Sequence, residues 1–295
     1  MANLKEVRIR ISSTISTQQI TKAMKLVSAT KLRRATMAVT QMRPYAEKLQ
    51  EILSNLSDSI DDEQLSAYFE LRDTQRVLFV AVSSDRGLCG AFNANIGKKV
   101  KSLIAGPYKS QYEKGNVTIM HLGKKSYEAL RKLETLQFDK EHIAIFQDLN
   151  ADNVFEVGQS ILDQYKNGDF DKVVLIYNRF INAATQEVMA ENLLPVTPDT
   201  SLENKSTQKN DYIFEPNKVD ILHDLVPRSL KTQLYKATLD SWASEHGARM
   251  VAMDSATENA GELLKSLKVE YNKARQAAIT NEISEIVGGA AALEG

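Results

Sequence analysis

The sequence predicts an α/β protein: two long terminal helices that pair as an antiparallel coiled coil, and between them a central domain of alternating strands and helices. Three observations carry this expectation. From Ala2 to Arg43 there is no Gly and no Pro, and apolar residues recur at helical steps. Between residues 73 and 196, continuous apolar runs alternate with helical patterns, as in a parallel-type sheet. After Pro216 a second long helical stretch runs to about Ile286. At about 1.5 Å per residue such helices reach roughly 80 to 100 Å, beyond the diameter of a small domain, so their apolar stripes face each other or stay half-exposed.

In the first helix the stripe is Leu4, Val7, Ile11 and Ile15, then Ile20, Ala23 and Val27, with Asn3 as a candidate N-cap. Pro44 is expected to kink this helix and not to end it, because the pattern resumes at Tyr45; it dissolves near residues 57–62. Arg76 to Ser83 reads as a buried strand, Ala94 to Ile104 as a helix, Val117 to Leu122 as a second strand and Lys124 to Leu133 as another helix. Ala151 to Lys166 is helical, Lys172 to Asn178 is a third strand, and Glu187 to Val196 is an edge strand, antiparallel because only a short turn around Asn182 precedes it. The result is a Rossmann-like central domain. Residues 199–211 are polar and read as an exposed loop.

The C-terminal helix contains Pro227, Gly247 and Gly261 and is expected to end at Gly288-Gly289. Its seam is expected at Ala252, Ala256, Asn259, Leu263, Leu267, Tyr271, Ala274 and Ala278, a spacing slightly above the helical repeat that favours straight pairing over supercoiling. The domains are therefore an N-terminal shaft helix (1–60), a central α/β domain (72–215) and a C-terminal shaft helix (216–295) that pairs with the first.

The net charge of -1 argues against an overall field that attracts nucleic acid or membrane. Cys89, the single cysteine, excludes an internal disulfide and fits a reducing compartment. The longest apolar run, Val77 to Val82, is far below the roughly 20 residues of a membrane span, and no secretory signal precedes the first helix. Within residues 1–43, nine lysines and arginines face one acid, Glu6. This stretch is either a shaft that meets acidic surfaces or a solvated face balanced by acids elsewhere. A nucleic-acid adaptor is weaker, since aromatic residues are not interleaved with the charges.

Ser83 to Asn93 sits between strand and helix, where phosphate-binding turns occur, but lacks the GxGxxG spacing and the Walker lysine, so a tight turn with Cys89 packed in it is favoured. His121, His142, His223 and His246 lie far apart without ligand spacing; no metal, cofactor or catalytic constellation is expected. Trp242 is expected to be a packing residue.

Residues Ile20-Thr-Lys-Ala-Met-Lys-Leu-Val-Ser-Ala-Thr-Lys-Leu-Arg-Arg resemble the N-terminal shaft helix of the F-type ATP synthase gamma subunits. Asp85-Arg-Gly-Leu-Cys-Gly is similar to that family's turn after its first strand, and the segments from Glu245 to Ala260 and from Tyr271 to Ala290 are similar to its C-terminal helix. The resemblance implies a non-catalytic rotor shaft inside a ring of three alpha and three beta subunits, with the central domain near the epsilon subunit and the membrane c-ring. It implies membrane association only through that proton-transporting complex; with no transit peptide before the first helix, the expected place is the cytoplasmic face of a bacterial plasma membrane. It places Met24, Lys25, Arg249, Gln276 and Thr280 at contacts with beta subunits, and Phe214 and Glu215, in Tyr212-Ile-Phe-Glu-Pro, at the rotor ring or epsilon. Charge reversal at Arg249 is then expected to weaken coupling and leave the fold intact. The alternative is an α/β nucleotide-binding enzyme with dimerising terminal helices, which needs the Asp85–Gly90 turn to hold phosphate.

Overall fold

The computed structural model describes residues 4–56, 65, 67–196 and 218–294. The chain divides into a helical unit, Met1–Ser28 with Met250–Gly295, and a central unit, Ala29–Arg249. Helix α1, Leu4–Leu56, and helix α6, Lys218–Glu294, each contribute to both.

The central unit is built on a five-stranded sheet in the order β3-β2-β1-β4-β5. Its strands are β1 Val77–Val82, β2 Val117–Leu122, β3 Gln137–Asp139, β4 Lys172–Phe180 and β5 Gln186–Leu194. The first four run parallel and β5 returns antiparallel along β4, as expected. Helices α2 Phe92–Ala105, α3 Lys109–Glu113, α4 Lys124–Leu130 and α5 Ala151–Lys166 complete it.

Strand β1 is buried at all six positions, and side-chain alternation divides it between two cores. Val77, Phe79 and Ala81 join Ile96 and Val100 of α2 and Leu130 of α4. Leu78, Val80 and Val82 join Val154, Val157 and Ile161 of α5 and Leu222, Val226 and Leu230 of α6. Thus α2 and α4 cover one face of the sheet, and α5 and α6 the other. Asn150 caps α5 by accepting from the Asn153 N–H at 2.8 Å. The β2–α4 turn needs Gly123: its φ is 108°, and a Cβ there would stand 2.1 Å from the Ser83 carbonyl oxygen.

Within this unit, Ala35 and Val39 of α1 pack on Leu239 and Ala243 of α6, with Trp242 partly buried beside them. Pro44 lies inside α1 and Pro227 inside α6 without ending either. The short strand β3 was not anticipated, because three half-exposed residues carry no periodicity. Helix α4 ends at Leu130, earlier than expected. Helix α6 continues through Gly288-Gly289 to Glu294, because the following Ala290-Ala-Ala-Leu are strong helix formers and neither glycine takes a left-handed φ.

In the helical unit the two helices run antiparallel: Gln18 lies at Gly261, Thr21 meets Thr257, and Lys25 meets Asp254. The expected seams shift. On α6 the buried stripe is Met253, Ala260, Leu264 and Leu267, with half-buried Thr257 completing steps of four and three, while Asn259 and Leu263 are exposed. On α1 the least exposed residues are Leu4, Val7, Ile11, Thr14, Gln18, Thr21, Lys25 and Ser28, again at alternating steps of three and four, with half-buried Met24 beside Lys25. Ile15, Ile20, Ala23 and Val27, expected in the seam, are exposed. The spacing is that of a heptad, which favours left-handed supercoiling over the straight pairing expected. The expectation sorted residues by apolarity, whereas over residues 14–28 of α1 the pairing face is mainly polar.

Candidate functional site

Two constellations hold the residues that the sequence singled out. The first is the turn after β1. Ser84 accepts from the Asn93 amide at 2.8 Å and donates to the Arg86 carbonyl at 2.6 Å, and Asn93 Oδ1 accepts from the Ser84 N–H at 3.1 Å. This network bends the chain back on the start of α2. Leu88 sits at its outer edge with φ of 62°, a left-handed conformation costly for leucine, and is 65% exposed. Cys89 is buried beneath it, and burial pushes its thiol up from the ordinary range.

Arg249 of α6 fastens this turn. Its Nη2 donates to the carbonyls of Arg86 and Gly87 at 3.0 and 3.2 Å, and its Nη1 pairs with Glu245 one helical turn earlier. Both side chains are only 9% exposed. Burial raises the Glu245 carboxyl, and Arg249 pulls it back. Beside them His246 packs edge-on against Trp242, and burial, helped by the charges of Arg249 and Lys31, lowers its pKa to about 3.

A doubly wound sheet binds ligands outside the carboxyl ends of its strands where the strand order reverses, here between β1 and β4. In this chain α6 occupies that position: Ser244 donates to the Asn178 carbonyl at 3.0 Å, Gly247 lies against Ala183, and Arg249 binds the turn. Two carbonyls of the turn converge on a guanidinium. That polarity is the reverse of a phosphate cradle, which needs N–H groups aimed at the ligand.

The second constellation is the seam of the helical unit. Thr21 and Thr257 share a hydroxyl hydrogen bond of 2.8 Å, and Lys25 pairs with Asp254. Half-buried Met24 lends its carbonyl to the Ser28 hydroxyl at 2.8 Å. Gln276 and Thr280 are exposed on neighbouring turns of α6, and Thr280 donates to the Gln276 carbonyl at 2.9 Å. Beyond them Ile283, Ile286 and Val287 are all more than half exposed. Phe214, Glu215 and the loop 199–211 lie outside the described residues.

Arg249 therefore belongs to the central unit, whereas Met24, Lys25, Gln276 and Thr280 belong to the helical unit. Arg249, a buried guanidinium with three protein partners, is part of the scaffold, so charge reversal there is now expected to cost stability instead of leaving the fold intact. Three acids of α6 were missed. Asp240 is buried and accepts from Arg43, whose guanidinium also donates to the Phe180 carbonyl; Glu245 holds Arg249; Asp254 holds Lys25. The four-residue spacing of Glu245 and Arg249 was the available signal. Of the nine basic residues of α1, Lys25 and Arg43 are thus paired with acids of α6 and Arg10 with Glu6 of its own helix, while Arg8, Lys22, Lys31, Arg33 and Arg34 make no ion pair among the described residues.

Among the described residues no group of acids, histidines and cysteines could hold a metal ion, and no helix is long and apolar enough to cross a membrane. The profile of the family described as ATP synthase matches residues 3–293. The chain is 52% identical to the ATP synthase gamma chain of Christiangramia forsetii over the whole of both chains. In solved structures it is similar to a chain of the central stalk and c-ring assembly of the Tetrahymena thermophila mitochondrial ATP synthase, at 25% identity, TM-score 0.56, covering 80% of this chain and 99% of that one. A chain of the Euglena gracilis mitochondrial enzyme shares the fold, with TM-score 0.69 at 23% identity over 98% of this chain and 94% of that one. A buried clamp where an enzyme would keep a crevice, paired terminal helices, and full-length identity above one half lead to one conclusion: the chain belongs to the family of ATP synthase gamma chains.

Proposed function

We propose that the chain turns as the central shaft inside a ring of three alpha and three beta subunits and so couples ion flow through the membrane c-ring to ATP synthesis or hydrolysis in the beta subunits. As a gamma chain it is a non-catalytic rotor stalk subunit of an F-type ATP synthase, membrane-peripheral through its complex. The single observation that supports the geometry of this reading best is the seam of the helical unit. Its two helices meet over residues 14–28 through hydroxyls, an amide and an ion pair, while Ile20, Leu26 and Val27 are 57 to 62% exposed. A helix pair of this kind leaves apolar surface for an enclosing sleeve.

The mechanism rests on asymmetry. Three chemically equivalent beta subunits around one shaft meet different faces of it, and only a difference in contact free energy biases a conformational equilibrium. Met24 and Lys25 on α1 and Gln276 and Thr280 on α6 supply such contacts in this reading. Arg249 acts through the turn that it holds. Phe214 and Glu215 meet the c-ring or the epsilon subunit, and residues 1–60, 72–215 and 216–295 serve as N-terminal shaft helix, central domain and C-terminal shaft helix. The bacterial relatives support a place on the cytoplasmic face of the plasma membrane. Reconstitution with purified alpha and beta subunits tests the reading: one copy of this chain per ring and stimulated ATP turnover are expected, and a competent ring that excludes the chain refutes it.

A further inference from the structure

Within the central unit the two long helices are held to the sheet in unequal ways. Helix α6 lies along it, with Leu222, Val226, Leu230 and Leu234 buried in the core beneath the strands. At the carboxyl end of β4 it adds close contacts. Ser244 donates to the Asn178 carbonyl at 3.0 Å, and a Cβ at Gly247 would stand 3.1 Å from the Cα of Ala183 in the β4–β5 turn. Helix α1 joins the core at Leu53, near its end, and earlier packs Ala35 and Val39 on Leu239 and Ala243 of α6. Apolar contacts of this kind resist separation but are non-directional, and the two alanines offer little relief against rolling or sliding.

Arg43 stands between these two stretches of α1. Its Nη2 donates to the Asp240 carboxylate of α6 at 2.6 Å and to the Phe180 carbonyl at the end of β4 at 2.7 Å. One guanidinium thereby ties three elements together through charge-assisted hydrogen bonds, which are directional. Asp240 is 1% exposed, and its Oδ2 is buried without a hydrogen bond among the described residues, so the charge of this carboxylate is balanced by Arg43.

We propose that Arg43 is a positioning residue for rotary coupling: it fixes the azimuth of α1 against α6 and β4, so that both helices turn with the sheet as one body. Resting on the shaft reading, this role has α6 carry torque through its long contact with the sheet and α1 carry it through Arg43. Without that bond α1 lags behind α6 under load, and part of each rotation is lost as twist between the two helices.

The test uses the complete ATP synthase assembled with this chain in sealed vesicles. ATP hydrolysis is measured with the ion gradient standing and again after an ionophore collapses it; in a coupled motor the gradient restrains hydrolysis, and the ratio of the two rates reads that restraint. Arg43→Met together with Asp240→Leu removes the bonds and leaves no buried charge unpaired, so the melting temperature of the chain is expected to stay near the parent's. The ratio is expected to fall at least about twofold in this variant. Arg43→Lys keeps a cation for Asp240 but not the planar fork; it is expected to lie between the two and serves as the readout if the double variant does not fold. Val157→Ala, a truncation in the core on α5, is the comparison: it lowers the melting temperature and is expected to leave the ratio unchanged. A parent-like ratio in the Arg43 variants, or a fall as large in Val157→Ala, overturns the proposal and leaves the shaft reading standing. A parent enzyme whose hydrolysis is not restrained at all refutes the shaft reading and this role with it.

Discussion

The same two helices pair in two different ways. In the central unit α1 and α6 meet through small apolar residues, Ala35 and Val39 against Leu239 and Ala243, and the charges nearby are buried and bonded: Asp240 to Arg43, Glu245 to Arg249. In the helical unit they meet through Thr21, Thr257 and the Lys25–Asp254 pair, and several large apolar residues point outward. The first arrangement is how a protein stabilises itself. The second spends little apolar surface on self-association and leaves it for neighbours.

That contrast is broken most directly at the clamp. Arg249→Glu places a second carboxylate beside buried Glu245 and removes the donor to two carbonyls, a loss of about 3–5 kcal/mol from the central unit. Urea denaturation followed by the fluorescence of Trp242, the chain's one tryptophan, reads that loss. A midpoint unchanged from the parent would show the clamp to be superficial.

Acid separates the units next. All four histidines lie in the central unit, and burial lowers His121 to about 4 and His246 to about 3, with Lys140 adding to the first and Arg249 to the second. The unfolded chain then binds more protons than the native one as pH falls below about 6.5, so stability present at neutral pH is lost on acidification, by about 2 kcal/mol per histidine between about pH 7 and pH 5. His121→Gln should flatten that dependence by its share in denaturation curves at the two pH values. The helical unit, without histidine, contributes nothing to it.

Packing separates them further. Ala35 and Ala243 are fully buried, so Ala243→Leu overfills their contact and costs about 1–3 kcal/mol in the same denaturation assay. The smallest effect belongs to the seam: Lys25→Ala removes a half-exposed ion pair and is expected to change thermal stability by about 0–1 kcal/mol. A large loss there would mean that the helical unit stabilises itself as the central unit does.

The regular elements were legible because their signals are local. Val77 to Val82 could be nothing but a doubly buried strand, and α5 was bounded to the residue, from Ala151 to Lys166. Gly288-Gly289 misled because a glycine pair lowers helix propensity without forbidding the helix. The seams misled for a deeper reason. Apolar periodicity locates the face that avoids water, and over residues 14–28 of α1 that face is not the one turned to α6. The role of Arg249 was invisible because its acceptors, the carbonyls of Arg86 and Gly87, come from a turn more than 160 residues away and carry no side-chain signature.

The burial of Cys89 has a practical consequence for watching the motor turn. A thiol that is 1% exposed and held protonated by its surroundings is a poor nucleophile, since the thiolate is the reactive form. The chain is therefore a silent background for maleimide chemistry. A single cysteine introduced at exposed Gln276 or Lys98 would be the one position to take a fluorophore, a bead or a cross-linker, without first stripping a native residue from the turn that Arg249 holds.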